Sequence, residues 1–169
     1  GCTLQGKVCD TEAGACVECT ASTDCGNAES AKCDTSSHTC GKCEANADCA
    51  HIADKPYCDP SAGACVACLS NANCNDPGAS HCDAVSHECT ACAGNTDCLH
   101  IVEGADNLPL CLNAKCVECT RTEKGECGAS GVCNALTNRC AEGVTMNTAS
   151  LCDACVSDDQ CVPGQRCIQ

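Results

Sequence analysis

Of the 169 residues, 27 are cysteine, and thiols at that density do one of two things. They pair into disulfides in an oxidising compartment, or they bind soft metal ions as thiolates inside a cell. The spacing separates the two. A metallothionein-like cage would carry many Cys-x-Cys pairs and abundant lysine. This chain has no Cys-x-Cys, and only 9 Lys+Arg against 23 Asp+Glu. A zinc ribbon isolates two Cys-x-x-Cys knuckles per ion, whereas here other cysteines fall between every pair of knuckles. The expectation is disulfides, with no resident metal and no cofactor.

The remaining reactive side chains form no catalytic set. There are five histidines, His38, His51, His81, His87 and His100. His38 and His87 sit at equivalent places in a repeat, which favours a structural role. No Gly-x-Ser-x-Gly elbow, His-Glu-x-x-His pair or phosphate loop occurs. A nucleophilic cysteine needs a thiolate beside a base, and pairing removes it. Asp24, Asp48 and Asp97 recur just before a cysteine, and Asp10, Asp34, Asp59 and Asp83 just after one. Stacked units would align them into a ladder of oxygens for Ca²⁺. The simpler expectation is that each carboxylate accepts hydrogen bonds from turn amides. Enzymatic activity is not expected. A formal charge of −14 argues against nucleic acid or an anionic membrane surface as partner. No stretch approaches the roughly 18 apolar residues of a membrane span.

Little besides sulfur is available to hold a fold. The chain has no Trp or Phe, one Tyr (Tyr57) and one Met (Met146), and Leu, Ile and Val together number 21. Backbone ordering costs on the order of 1–2 kcal/mol per residue, and so small an apolar content does not offset it. Covalent cross-links must position everything else.

The cysteines recur on a lattice. Units begin near Cys9, Cys33, Cys58, Cys82, Cys111 and Cys133. Four clean copies read CDTEAGACVECTASTDC, CDTSSHTCGKCEANADC, CDPSAGACVACLSNANC and CDAVSHECTACAGNTDC. The fifth shortens its first gap (CLNAKCVEC), and the sixth breaks off after CNALTNRC and resumes at CDACVSDDQC from Cys152. Turn-forming residues between the first two cysteines predict a β-hairpin with its tip near Ala13-Gly14, Ser37-His38, Ala62-Gly63 and Ser86-His87. Asn113-Ala114 predicts a tighter one. The following stretch predicts one helical turn, with Ser22, Asn46, Asn71 and Asn95 as its caps. The expected fold class is small and disulfide-rich: an elongated tandem array of about six ~24-residue units, each a short hairpin plus a helical turn. Repeats occupy 1–140, an insert 141–151 and a partial repeat 152–169.

Spacing leaves two connectivities open. A local scheme joins neighbours, such as Cys9 to Cys16 and Cys19 to Cys25. A crossed scheme joins Cys2 to Cys16, Cys19 to Cys33, Cys25 to Cys40, Cys43 to Cys58, Cys49 to Cys65, Cys68 to Cys82 and Cys74 to Cys89. It continues with Cys92 to Cys111, Cys98 to Cys116, Cys119 to Cys133, Cys127 to Cys140 and Cys155 to Cys167. The crossed scheme is preferred because it ties each turn to the next hairpin, at ~3 kcal/mol per link in the chain-entropy model.

The run Cys-x-x-x-x-Asp-Cys…Cys-Asp-x-x-x-x-x-Cys-x-x-Cys resembles the Cys-rich tandem repeats of bacterial secreted and cell-surface proteins. Its cysteine spacing is also similar to Dickkopf N-terminal/colipase-like disulfide modules, in which Cys-x-x-x-x-x-Cys opens a crossed pair. The resemblance covers most of 9–140 and 152–167. It implies a fold style and an extracellular location, and it carries no activity. The chain departs from that module in its tandem repetition and in lacking a Cys-Cys pair.

Cys9, Cys152 and Cys161 are left without partners in the crossed scheme, and 27 is odd. Either the array continues beyond this sequence or copies join head to tail, a contact that does not close and makes fibres. The insert with Leu99, Ile101, Val102, Leu108 and Leu110 is the densest aliphatic cluster, expected as a satellite core or a subunit contact. The absence of a leader fits a mature secreted chain. The expected role is an extracellular structural protein (stalk, surface coat or filament subunit). The alternative is a binding module such as an adhesin, receptor ectodomain or protease inhibitor. The expected partners are other copies of the chain or a cell-surface protein.

Overall fold

The protein is described from a computed structural model that covers Cys2, residues 6–123, Cys127, residues 131–141, Cys155, Cys161 and Cys167. It is a small disulfide-rich fold of short antiparallel hairpins. The strands pair as Val8–Asp10 with Ala15–Val17, Lys32–Asp34 with Thr39–Gly41, and Tyr57–Asp59 with Ala64–Val66. They continue as His81–Cys82 with Cys89–Thr90, Leu110–Leu112 with Lys115–Val117, and Cys133–Asn134 with Arg139–Cys140. The insert adds its own pair, Val102–Glu103 with Asp106–Asn107. No strand pairs with more than its own hairpin partner among the described residues.

The loop chemistry explains why each hairpin closes where it does. Asp10, Asp34, Asp59 and Asp83 each turn Oδ1 onto the amides two and three residues ahead, and Asn134 does the same in the last hairpin. The residue four positions after that Asx side chain enters the left-handed region: Gly14, His38, Gly63, His87 and Asn138. Glycine accepts that conformation freely, and His and Asn accept it at modest cost. In the shorter fifth hairpin both central residues, Asn113 (φ 49°) and Ala114 (φ 65°), are left-handed, which is the twist a two-residue hairpin turn requires.

Between hairpins lie 3₁₀ turns of three residues, Ser22–Asp24, Asn46–Asp48, Asn71–Asn73 and Asn95–Asp97, and no α-helix occurs among the described residues. The capping expectation is corrected here. Ser22, Asn46, Asn71 and Asn95 are the first residues of the turns, and the residues before them, Ala21, Ala45, Ser70 and Gly94, hold the extended cap position. The exposed amides at the start of each turn are covered from inside it. Asp24 accepts from Thr20 and Ala21, Asp48 from Glu44 and Ala45, Asn73 from Ser70, and Asp97 from Ala93 and Gly94.

The chain divides into two compact units, Gly1–Leu69 with Asp83–Glu88, and Ser70–Cys82 with Cys89–Gln169. In both the core is sulfur. Apart from Ala31, Ile101, Leu108, Leu110 and Val132, every buried apolar residue among the described residues is a cysteine. In the first unit Ala31 packs with Cys43, Cys49, Cys58 and Cys65, against Ala28 and Ile52. In the second, Ile101 and Leu108 pack with Cys92, Cys98 and Cys116.

Candidate functional site

Cysteines that stand opposite each other in the ladders, such as Cys33 and Cys40 or Cys58 and Cys65, project from the same face of their hairpin. They do not bond to each other. Each reaches back to the preceding 3₁₀ segment, so two disulfides clamp that segment to the hairpin face. The bonds are Cys2–Cys16, Cys19–Cys33, Cys25–Cys40, Cys43–Cys58 and Cys49–Cys65 in the first unit. The second unit contains Cys74–Cys89, Cys92–Cys111, Cys98–Cys116, Cys119–Cys133, Cys127–Cys140 and Cys155–Cys167. Cys68 and Cys82 are each also in a disulfide. The order is the crossed one, and the local pairs Cys9–Cys16 and Cys19–Cys25 are not formed.

The Ser or Asn side chain that opens each 3₁₀ turn completes its clamp. The backbone N–H of the hairpin's first cysteine points outward, and the turn supplies its acceptor. Cys33 donates to Ser22 Oγ at 3.2 Å, and Cys58, Cys82 and Cys111 donate to Asn46, Asn71 and Asn95 Oδ1, each at 2.9 Å. This moves the natural boundaries of the repeat. Residues 19–40, 43–65, 92–116 and 119–140 each contain both of their own disulfides, and only two residues separate 40 from 43 and 116 from 119. We call these stretches modules.

The sulfur sets include Cys43, Cys49 and Cys65, whose Sγ atoms lie within 4.8 Å of one another because two disulfides stack in each module. Bonded sulfur is not thiolate, so these sets offer no ligands while oxidised. The carboxylate ladder is not assembled. No set of three carboxylates comes within ligand distance among the described residues. Their oxygens serve the loops, and for Asp10, Asp24, Asp34, Asp59 and Asp97 those bonds favour the ionised form. The Ala13 and Glu12 amides lower the Asp10 carboxyl below the usual range, and His38 adds to this. The Thr20 amide does the same for Asp24, the Ser36 amide for Asp34, and the Ser61 hydroxyl for Asp59. For Asp97 the leading cause is the Ala93 amide, opposed by burial and aided by His81, whose Nδ1 lies 3.1 Å from its Oδ1.

Two of the residues expected to lack partners are free thiols, Cys9 (exposed) and Cys161 (buried). Cys152 and the 142–151 part of the second insert lie outside the described residues. Cys9 stands opposite Cys16 in the first hairpin, the place where the corresponding Cys33, Cys58 and Cys111 are bonded to a preceding turn. It borders an open cleft of about 400 Å³ together with Asp10, Glu12, Thr20, Thr35 and His38. The aliphatic insert divides in two. Ile101, Leu108 and Leu110 are 1%, 2% and 9% exposed and build the core, while Leu99 and Val102 are 69% and 58% exposed. Arg139 pins the insert's hairpin through Glu103 and through Asp106 at 3.3 Å.

Sequence reading missed a second, longer period. Cys25 and Cys74, Ala28 and Pro77, His38 and His87, His51 and His100, Ile52 and Ile101 are each 49 positions apart. These pairs make matching contacts. His51 Nε2 lies 2.8 Å from the Cys25 carbonyl, and His100 Nε2 lies 2.9 Å from that of Cys74. Ala28 accepts from the Cys65 amide at 2.7 Å, and Pro77 from the Cys116 amide at 2.8 Å. The signal was visible as Ala-His-Ile at 50–52 and Leu-His-Ile at 99–101.

These features define a class, disulfide-clamped hairpin proteins with a sulfur core. No family model, no curated protein and no solved structure matches the chain.

Proposed function

We propose that the protein is an extracellular structural array, a stalk, surface coat or filament subunit, elongated by its tandem modules and without catalytic activity. The observation that carries this reading is the self-contained module. Each holds two disulfides of its own, and cysteine supplies most of the buried apolar residues. Disulfide density of this kind belongs to oxidising compartments, and repeated modules with nearest-neighbour contacts suit a scaffold. The likeness in cysteine spacing to bacterial surface repeats and to Dickkopf/colipase-like modules belongs to the same proposal. No helix is long and apolar enough to cross a membrane among the described residues.

Assembly with further copies is assigned to Cys9, whose exposed thiol occupies a position that other hairpins use for a disulfide. Electrophoresis of the native protein without reductant, and native mass before and after reduction, test this. Oligomers that collapse on reduction and vanish in Cys9→Ser are expected. A clean monomer overturns the linked assembly. The exposed Leu99 and Val102 favour a second reading, a binding module that presents the insert. It predicts a discrete ligand displaced by a peptide of residues 99–110.

A further inference from the structure

Neighbouring modules meet in two different ways. The joint between 19–40 and 43–65 is tight. The Cys65 amide donates to the Ala28 carbonyl across it, His51 reaches the Cys25 carbonyl, Lys32 pairs with Glu44, and Ala28 and Ala31 pack into the sulfur core of the second module. The 49-residue period repeats this joint in the second unit. There the Cys116 amide meets Pro77, His100 meets Cys74, and the buried Ser80 hydroxyl lies 3.0 Å from Cys116 Sγ.

The joint between the 8–17 hairpin and module 19–40 is open. No backbone hydrogen bond crosses it among the described residues, and the 400 Å³ cleft lies along it. Its tie is one ion pair, His38 Nε2 to Asp10 Oδ2 at 3.4 Å. The pair recurs 49 residues on, as His87 Nε2 to Asp59 Oδ2 at 3.7 Å. Where Asn138 takes the place of the histidine, its neighbour Arg139 supplies the cation to Glu103 and Asp106 over a smaller cleft of about 240 Å³.

We propose that the histidine-tied open joint between the 8–17 hairpin and module 19–40 is a pH-gated hinge, closed when His38 is an imidazolium facing Asp10 and released when it loses that proton. The placement of the two ring nitrogens supports it. His38 Nδ1 lies 3.1 Å from the Cys19 carbonyl, which can only accept, so Nδ1 carries a proton. In a neutral ring Nε2 then turns a lone pair toward the Asp10 carboxylate 3.4 Å away, and only the doubly protonated ring bonds Cys19 and also faces Asp10 with positive charge. Histidine changes charge between about pH 5 and 8. Asp10 does not, because its own loop amides hold it anionic. The other titratable groups lining the cleft are Glu12, which adds negative charge, and the Cys9 thiol, and His38 is the one cation-forming side chain among the lining residues. The tight joint is insensitive by the same logic, since His51 needs only its Nε2 proton to reach the Cys25 carbonyl. This inference rests on the modular array and not on what the array does. A monomer in the electrophoresis test leaves it untouched, and its failure leaves the structural reading standing.

Residual dipolar couplings and ¹⁵N relaxation of the full oxidised chain test the hinge. At pH 5 the 8–17 hairpin and module 19–40 should share one alignment. At pH 8 the hairpin couplings should shrink while 19–40 and 43–65 stay aligned with each other. His38→Arg should hold the joint closed at both pH values, and His38→Gln should leave it loose at both. Asp10→Asn should abolish the pH step without unfolding the loop, because Asn134 makes the same two loop bonds in the 133–140 hairpin. One shared alignment at pH 8, or a pH step that survives in His38→Gln, overturns the proposal.

Discussion

Removing the Cys49–Cys65 disulfide by Cys49→Ala with Cys65→Ala should unfold one module and leave the others standing. The bond spans a sequence separation of 16, and its loss frees the unfolded chain by about 3 kcal/mol in the chain-entropy model. Both sulfurs are buried, at 0% and 2% exposure, and losing their packing costs on the order of 1 kcal/mol more. Alanine is the right replacement, because a serine hydroxyl there would be buried without a partner. Together these amount to about a thousandfold in the opening equilibrium, or to full exchange if the module holds less than that in reserve. Amide hydrogen exchange reads it directly. The Cys58 amide, bonded to Asn46, and the Cys65 amide, bonded to Ala28, should lose protection by that factor. Amides of the 8–17 and 33–40 hairpins should keep most of theirs, since Cys2–Cys16, Cys19–Cys33 and Cys25–Cys40 are intact. A uniform loss along the chain would refute the claim that each module carries its own stability.

Asn46→Ala strands the half-buried Cys58 amide and should lower stability by about 1–2 kcal/mol in thermal melts. Asn46→Ser should cost less, because Ser22 already fills that role for Cys33. Ala114→Gly should stabilise the 110–117 hairpin by about 1 kcal/mol, since alanine at φ 65° carries a left-handed penalty that glycine escapes. Acid should weaken the hairpin loops. The Asp10, Asp34 and Asp59 carboxyls lie below their usual range in the fold. Their contribution is therefore complete above the unfolded value of about 3.9 and is lost as pH falls through the lower folded values. Thermal melts from pH 5 down to pH 2 should follow that course, and Asp34→Asn should flatten its share of it.

Cysteine spacing made the hairpins legible because it fixed both ends of every loop. Six residues between cysteines, with Asp first and Gly or His fifth, leave few ways to close, and Asn113-Ala114 admits one tight turn. The turns between hairpins were harder. Ser22 and the three asparagines stand where a cap is expected, but a three-residue 3₁₀ turn has its amides covered by Asp24, Asp48, Asn73 or Asp97 from within. The Ser and Asn side chains are thereby released to an amide 11 to 16 positions ahead, a relation local propensity does not encode. The 49-residue alternation was hidden by the stronger cysteine lattice, which looks alike in every module. The insert misled in part because apolar type does not fix direction. His100 turns back to the Cys74 carbonyl and Ile101 turns into the core, which leaves Leu99 outside.

Strength and stiffness therefore have different origins in this chain. Disulfides make each module durable, yet none described within unit one joins 8–17 to 19–40 beyond the one-residue connection at Glu18, or 19–40 to 43–65. The angle between modules is set by what crosses each joint: backbone hydrogen bonds and Ile52 at one, a histidine–carboxylate pair at the other. A reductant should thus erase the modules without regard to pH. A pH change should act on the open joint at His38 and leave every disulfide and the joint between 19–40 and 43–65 in place. An array built this way can keep its covalent integrity while its bending responds to the medium, because the His38–Asp10 pair can part without breaking any disulfide.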